Sequence, residues 1–330
     1  MRILITGGTG FLGRKLALAL LNKGYLTNTA GAETEIKKVV IFDKFAPQPA
    51  LPDDPRLEVK TGDITNSDTI NSLITEDTNL IFHLAAIVSG EAEENFDLGM
   101  QVNLFATYRL LEACRRLGSQ PRIVFASSVA VFGGDIPPVI EDSTALTPQT
   151  SYGTQKAIGE LLINDYSRKG FVDGRALRLP TIVVRPGKPN RAASTFASSI
   201  IREPLQGQPA ICPVSPEARM WILSPRRAIQ NFIHAAELPA KAWGSSRAVA
   251  LPGLSISIGQ MVDDLQEIGG PAVVERISWE PDPFIEKLVY GWPIDFEPKR
   301  AQAMGFVTDR SMREIIQAFI DDELNGKFAA

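Results

Sequence analysis

The 330-residue sequence predicts an α/β fold, a doubly wound parallel sheet followed by a smaller C-terminal α/β lobe. Three observations carry that expectation. Short β-branched runs alternate with amphipathic helical stretches from the N-terminus, the pattern of strand–helix–strand crossovers. Several of these runs are apolar throughout, as strands covered by helices on both faces must be. The alternation stops near Val184, after which proline and glycine punctuate the chain.

In chain order, strands are expected at residues 2–6, 38–43, 57–61, 79–85, 122–127 and 174–184, with helices at 11–23, 67–74, 96–117 and 151–168 between them. Residues 25–37, rich in Thr, Ala and Glu, read as a long exposed connection with no chemistry of its own. The runs Arg185-Pro186-Gly187-Lys188-Pro189 and Gln206-Gly207-Gln208-Pro209 allow only short elements, so a second lobe is expected from residue 185. Residues 226–237 again have a helical pattern. The expected division is therefore 1–184, with 219–250 returning to it, against 185–218 and 251–330, where 258–268 and 311–323 supply helices.

Composition excludes several functions. A formal charge of −4 supplies no basic face for nucleic acid, and no apolar run is long enough to span a bilayer. Met1 to Thr6 lead directly into a strand pattern, leaving no room for a cleavable signal. Cys114 and Cys212 are the only cysteines, too few and too isolated for a disulfide framework or a thiolate metal site. A cytoplasmic protein without metal is expected. His83 and His234, the only histidines, are expected to be structural.

Thr6-Gly7-Gly8-Thr9-Gly10-Phe11-Leu12-Gly13 sets glycines at G-x-x-G-x-x-G spacing between the first strand and the first helix. There Gly7 and Gly10 let the backbone turn tightly against a pyrophosphate, and Gly13 lets the helix pack on the sheet. The amides of Phe11 and Leu12, at the positive end of the helix, face the anion. This is the mark of a Rossmann-type dinucleotide site, and it assigns coenzyme binding to residues 1–184 and substrate binding to the smaller lobe. Asp43 ends the second strand, where a carboxylate takes both adenosine ribose hydroxyls and repels a 2′-phosphate, favouring NAD over NADP. Asp63, followed by Ile64 after the third strand, is positioned either for the adenine amino group or for a plain turn.

Tyr152-Gly153-Thr154-Gln155-Lys156 puts a phenol and an ammonium one helical turn apart. A tyrosine is a poor base at neutral pH unless a cation stabilises its phenolate, and Lys156 is that cation. Lys156 is also placed for the nicotinamide ribose. Ser127 and Ser128 end the fifth strand at the carboxyl edge where open parallel sheets bind ligands, and one of the two hydroxyls is expected to face that crevice.

Taken in order, these motifs resemble the extended short-chain dehydrogenase/reductase family, also known as the NAD-dependent epimerase/dehydratase family, over most of the chain. Counting back four positions from Phe132 in Ser127-Ser128-Val129-Ala130-Val131-Phe132-Gly133, the resemblance makes Ser128 the catalytic hydroxyl beside Tyr152 and Lys156. It implies NAD contacts at Leu84, Ala85 and Ala86, at Asn103 and at Pro180, besides Tyr152 and Lys156 themselves. It also implies a homodimer built from residues 96–117 and 151–168 as a four-helix bundle, although an apolar stripe facing the sheet looks like one facing a partner.

Departures from the family pattern narrow the reaction. Val129 and Ala130 stand where a dehydratase would carry its Asp-Glu pair, so dehydration lacks its acid and base. Thr181 replaces an Asn common in nucleotide-sugar enzymes, and in Arg219-Met220-Trp221-Ile222-Leu223-Ser224 only the Arg survives of another such motif. Arg219, or the loop at Ser89-Gly90, is then free to hold a small carboxylate. The run Trp279-Glu280-Pro281-Asp282-Pro283, with Gly291-Trp292-Pro293 and Met304-Gly305-Phe306, is similar to the tail of a narrower group in the family that acts on D-erythronate. That resemblance implies NAD-dependent oxidation at C2 to 2-oxo-D-erythronate, with Ser89, Ser128, Tyr152, Thr181 and Arg219 toward the substrate. A nucleotide-sugar 4-epimerase and a non-catalytic NAD-binding regulatory protein are the alternatives.

Overall fold

The computed structural model describes residues 1–187 and 193–329, so the Lys188-Pro189 end of the first punctuated run lies outside the described residues. The chain divides into two compact units. One comprises residues 1–131, 150–178 and 229–249, and the other residues 132–149, 179–228 and 250–330. Relative to the expected division, residues 132–149, 179–184, 219–228 and 250 group with the second unit.

The first unit is built on a seven-stranded sheet. Its strands are β1 (Arg2–Thr6), β2 (Lys38–Asp43), β3 (Leu57–Thr61), β4 (Thr78–His83), β5 (Arg122–Ser128), β6 (Asp173–Leu179) and β7 (Ala248–Ala250). The order is β7-β6-β5-β4-β1-β2-β3, and the pairs β1–β2, β1–β4, β2–β3 and β4–β5 run parallel. From β1 the chain winds to one side through β2 and β3 and then crosses to β4, so the topology reverses between β1 and β4. Ligands bind at the carboxyl ends of strands at such a point.

Helices α1 (Phe11–Lys23), α2 (Ser67–Leu73), α3 (Ala106–Leu117) and α4 (Ser151–Arg168) lie between the strands. Leu4, Val40, Ile81, Ile123 and Phe125 of the sheet are buried with Ile70, Leu110 and Ile163 of α2, α3 and α4 in one cluster. Phe232 of the helix Pro225–Glu237 meets Phe82 of β4 edge-on at 6.4 Å. That helix ends against two buried guanidiniums: Arg175 donates to the Ala235 and Ala236 carbonyls and Arg122 to Ala236, supplying cations at the negative end of its dipole.

Three stretches depart from the sequence reading. Residues 96–117 are not one helix, because a π-helical segment, Met100–Phe105, separates Phe96–Gly99 from α3. Residues 174–184 are not one strand, because β6 ends before Pro180 and a separate strand, Thr181–Ile182, follows. Proline cannot donate to a ladder, which makes it a natural break. Residues 25–37 contain a small antiparallel hairpin, Tyr25–Thr27 with Glu33–Glu35.

In the second unit, Thr181–Ile182, Arg219–Leu223 and Leu254–Ser257 form a three-stranded sheet. Helices Thr195–Leu205, Ile258–Gly269 and Met312–Glu323 bury Ile200, Ile201, Met261, Leu265, Ile316 and Phe319 in a core of its own with Met220 and Ile222.

Candidate active site

The glycine turn leaves β1 at Thr6 and enters α1 at Phe11. Gly7 has φ +70°, and a Cβ there would stand 2.7 Å from the Ala85 nitrogen; one on Gly13 would stand 2.2 Å from the Gly7 carbonyl oxygen. Only glycine permits both approaches. The turn therefore lies against Leu84 and Ala85 at the end of β4, where the Leu84 amide donates to the Thr6 carbonyl at 3.1 Å. Gly10 caps α1 with no side-chain hydrogen bond, so the first-turn amides at Phe11 and Leu12 have no side-chain acceptor at the cap. Asp43 reaches over the turn to accept the Thr9 amide at 3.0 Å. A Cβ-free cradle, a helix N-terminus without a side-chain cap and a carboxylate at the end of β2 fit a dinucleotide's pyrophosphate and ribose.

Asp63 closes a turn, accepting the amide and hydroxyl of Thr65 at 2.8 Å each, and those bonds hold its carboxyl below the usual range. Ile64 is buried in the core beside it. On the far side of the turn, Asn103 on the π-helical segment accepts the Ile87 amide at 2.9 Å and donates to Gln155 at 2.8 Å, pinning the loop of Leu84, Ala85 and Ala86 ahead of Ser89. π-Helical turns cluster at functional sites.

Helix α4 carries Tyr152 and Lys156. Thr150 caps it, accepting the Gly153 amide at 3.0 Å. A Cβ on Gly159 would stand 2.8 Å from the Phe125 ring, so that glycine allows the helix to approach β5. Lys156 is 1 % exposed; its Nζ donates to the Ala126 carbonyl at 2.8 Å and sits 5.6 Å from the Tyr152 ring centroid. Burial pushes the Tyr152 phenol up to about 12, opposed by a hydrogen bond with Ser128. Burial likewise pushes Lys156 down to about 7, opposed by the Glu160 carboxylate. Withdrawing either group from water disfavours its charged form, which is why the phenol moves up and the ammonium down.

The two strand-end serines separate cleanly. Ser127 is buried and spends its hydroxyl on Glu160 at 2.5 Å. Ser128 is partly exposed, accepts the Ala130 amide at 3.1 Å and stands beside Tyr152. His83 is enclosed, its ring nitrogens 2.7 Å from the Thr6 hydroxyl and 2.9 Å from that of Thr107.

A model of the NAD dependent epimerase/dehydratase family matches residues 3–238, more than half of the chain. The protein belongs to the NAD dependent epimerase/dehydratase family. NAD is its cofactor. Among similar epimerase/dehydratase proteins, the D-erythronate dehydrogenase of Cupriavidus necator is 53% identical over 322 residues, spanning 98% of each chain. That of Haemophilus influenzae is 47% identical over 324 residues, spanning 98% of this chain and 100% of its own. The crystal structure of a nucleoside-diphosphate-sugar epimerase from Agrobacterium tumefaciens superposes with a TM-score of 0.93 at 44% identity, covering 99% of this chain and 95% of the other.

The remaining predicted residues lie in the second unit. Pro180 is buried, Thr181 pairs with Ile222, and exposed Arg219 donates to the Ser255 carbonyl and hydroxyl at 3.1 Å each. Sequence reasoning missed Gln155, Glu160 and Arg178. The available signal was a polar residue one turn beyond Lys156 on a helix face otherwise bound for the interior.

Proposed function

We propose that the protein oxidises the C2 hydroxyl of D-erythronate to 2-oxo-D-erythronate with NAD. The carrying observation is near full-length similarity to two D-erythronate dehydrogenases, joined to a Ser128–Tyr152–Lys156 arrangement suited to alcohol oxidation. Bound NAD supplies the acceptor for the C2 hydride. The Tyr152 phenolate takes the hydroxyl proton, Ser128 orients that hydroxyl, and Lys156 offsets the charge on Tyr152. Gly7, Gly10, Gly13 and the first amides of α1 are assigned to the pyrophosphate and Asp43 to the adenosine ribose. Asp63, Ile64, Leu84, Ala85, Ala86, Asn103 and Pro180 complete the proposed cofactor set. We assign substrate binding to the second unit, with Thr181 toward the sugar acid and Arg219, or Ser89 of the first unit, toward its carboxylate.

Two further assignments go with this reading. The protein is placed in the cytoplasm, in keeping with two buried free thiols whose ionisation burial suppresses. It is also taken to be a homodimer through the helices of residues 96–117 and 151–168. Phe105, Tyr108, Ile158 and Leu161 support this, since each is a large apolar side chain left exposed.

The test mixes protein and NAD with D-erythronate or, separately, UDP-galactose. NADH accumulating with the acid supports dehydrogenation, whereas an epimerised sugar without net NADH would replace it with the nucleotide-sugar reading that the Agrobacterium structure's name favours. NAD binding with neither product would leave a non-catalytic coenzyme protein. Tyr152→Phe is expected to lower kcat by about a hundredfold or more while NADH still binds; full activity in that variant would remove Tyr152 as the base.

A further inference from the structure

The last three residues of β5 each meet helix α4, and the three helix positions are one turn apart. The Ala126 carbonyl takes Lys156 Nζ at 2.8 Å, the Ser127 hydroxyl donates to Glu160 Oε1 at 2.5 Å, and Ser128 bonds Tyr152. Residues four apart on a helix share one face, so Tyr152, Lys156 and Glu160 form a stripe against the strand end. Glu160 is the anchor of that stripe. It is 4 % exposed, and Arg178 of β6 clamps it with Nε at 3.0 and 3.1 Å and Nη2 at 2.8 Å.

An ion pair this deep adds little net stability over apolar residues of the same size, which leaves its position to be explained. Two features do so. Holding Ser127 fixes the backbone on either side of it, the carbonyl that receives Lys156 and the hydroxyl beside Tyr152. Among the described residues, the neighbours in contact with Lys156 are neutral: the Ala126 carbonyl and the rings of Phe125, at 4.8 Å, and Tyr152. The titratable and charged groups around it are Tyr152 and Glu160 on its own helix, His83 on β4 and Arg178 on β6. Burial keeps His83 neutral, and Arg178 is spent on Glu160. Asn103 and Thr107, on the π-helical segment and α3, are uncharged. Glu160 is the one anion among these groups.

We propose that Glu160 is a positioning residue for proton transfer, holding Ser128 and Lys156 in register with Tyr152. The proposal rests on the alcohol-oxidation reading for its consequence in turnover, and on the geometry above for the role itself. Burial already drives Lys156 toward its neutral form and the Glu160 carboxylate is what opposes it.

Glu160→Gln preserves size and an acceptor for Ser127 while removing the charge. Carbon-13 NMR of protein labelled at the lysine ε-carbon, with Lys156→Met assigning the signal, reads the Lys156 titration without substrate. The midpoint is expected to fall by about one pH unit in Glu160→Gln. With NAD and D-erythronate, kcat at neutral pH is expected to fall about tenfold with KM changed less than about twofold, and Glu160→Asp is expected to restore part of both. An unmoved or raised midpoint together with a lowered melting temperature would reduce Glu160 to a structural ion pair and overturn the proposal. Should Glu160→Gln not fold, Ser127→Ala tests the register: kcat falls while the Lys156 midpoint stays, and wild-type turnover in that variant overturns it. If the wild type reduces no NAD with D-erythronate, the substrate reading fails and the NMR titration still decides the role of Glu160.

Discussion

His83 shows how burial converts a titratable side chain into a fixed hydrogen-bonding post. Desolvation, followed by the charge of Lys156, lowers its pKa from an ordinary 6.5 to about 3. The folded state thus binds fewer protons than the unfolded chain between those values, so this residue's contribution to stability is intact above pH 6.5 and is lost as pH falls toward 3. The expected loss is on the order of 2 kcal/mol by pH 5. Thermal melts of wild type and His83→Asn across that range check it: the wild type's advantage at neutral pH is expected to shrink steadily on acidification, and a constant gap would contradict the sign. The structural role of His83 was legible from its place inside an apolar strand. Glu160 was not, because its partners Ser127 and Arg178 are 33 and 18 residues away and only folding brings them together.

At the scale of elements, the turn from β1 into α1 is a tightly constrained piece of backbone in the proposed coenzyme site. A methyl on Gly13 would enter the space of the Gly7 carbonyl oxygen, and backbone cannot yield as a flexible side chain would. Gly13→Ala is therefore expected to weaken NADH binding at least about tenfold, measured by fluorescence titration, and to lower the melting temperature. Undiminished NADH affinity would show that α1 can withdraw from the sheet without cost. This turn was readable because its glycines are local to it. The break of residues 96–117 into α-, π- and α-helical pieces was not, since what it achieves, the placing of Asn103 on Ile87 and Gln155, is a tertiary contact. Pro180, by contrast, marked the end of β6 in plain view, and reading residues 174–184 as one strand underrated it.

For the whole molecule, the exposed side chains along residues 96–117 and 151–168 bear on assembly. Leu161 is 66 % exposed and Tyr108 45 % exposed, on α4 and α3. The proposed dimer would bury this two-helix face against its own copy, where an unpaired charge is costly. In light scattering the wild type is expected to run as a dimer and the double variant Tyr108→Glu/Leu161→Glu as a monomer. A dimer that survives the substitution would move the interface elsewhere.

The sequence by itself determined the doubly wound sheet and the family and pointed to the glycine turn, Asp43 and the Tyr152–Lys156 pair as the candidate site, because each is written in local periodicity, in loop chemistry or in a spacing of a few residues. Only the tertiary structure decided that Ser127 is committed to Glu160 while Ser128 stands beside Tyr152, that burial raises the Tyr152 phenol, and that Arg178 clamps Glu160 one turn beyond Lys156. Desolvation and long-range pairing are properties of the packed chain, and neither has a signature in residue order.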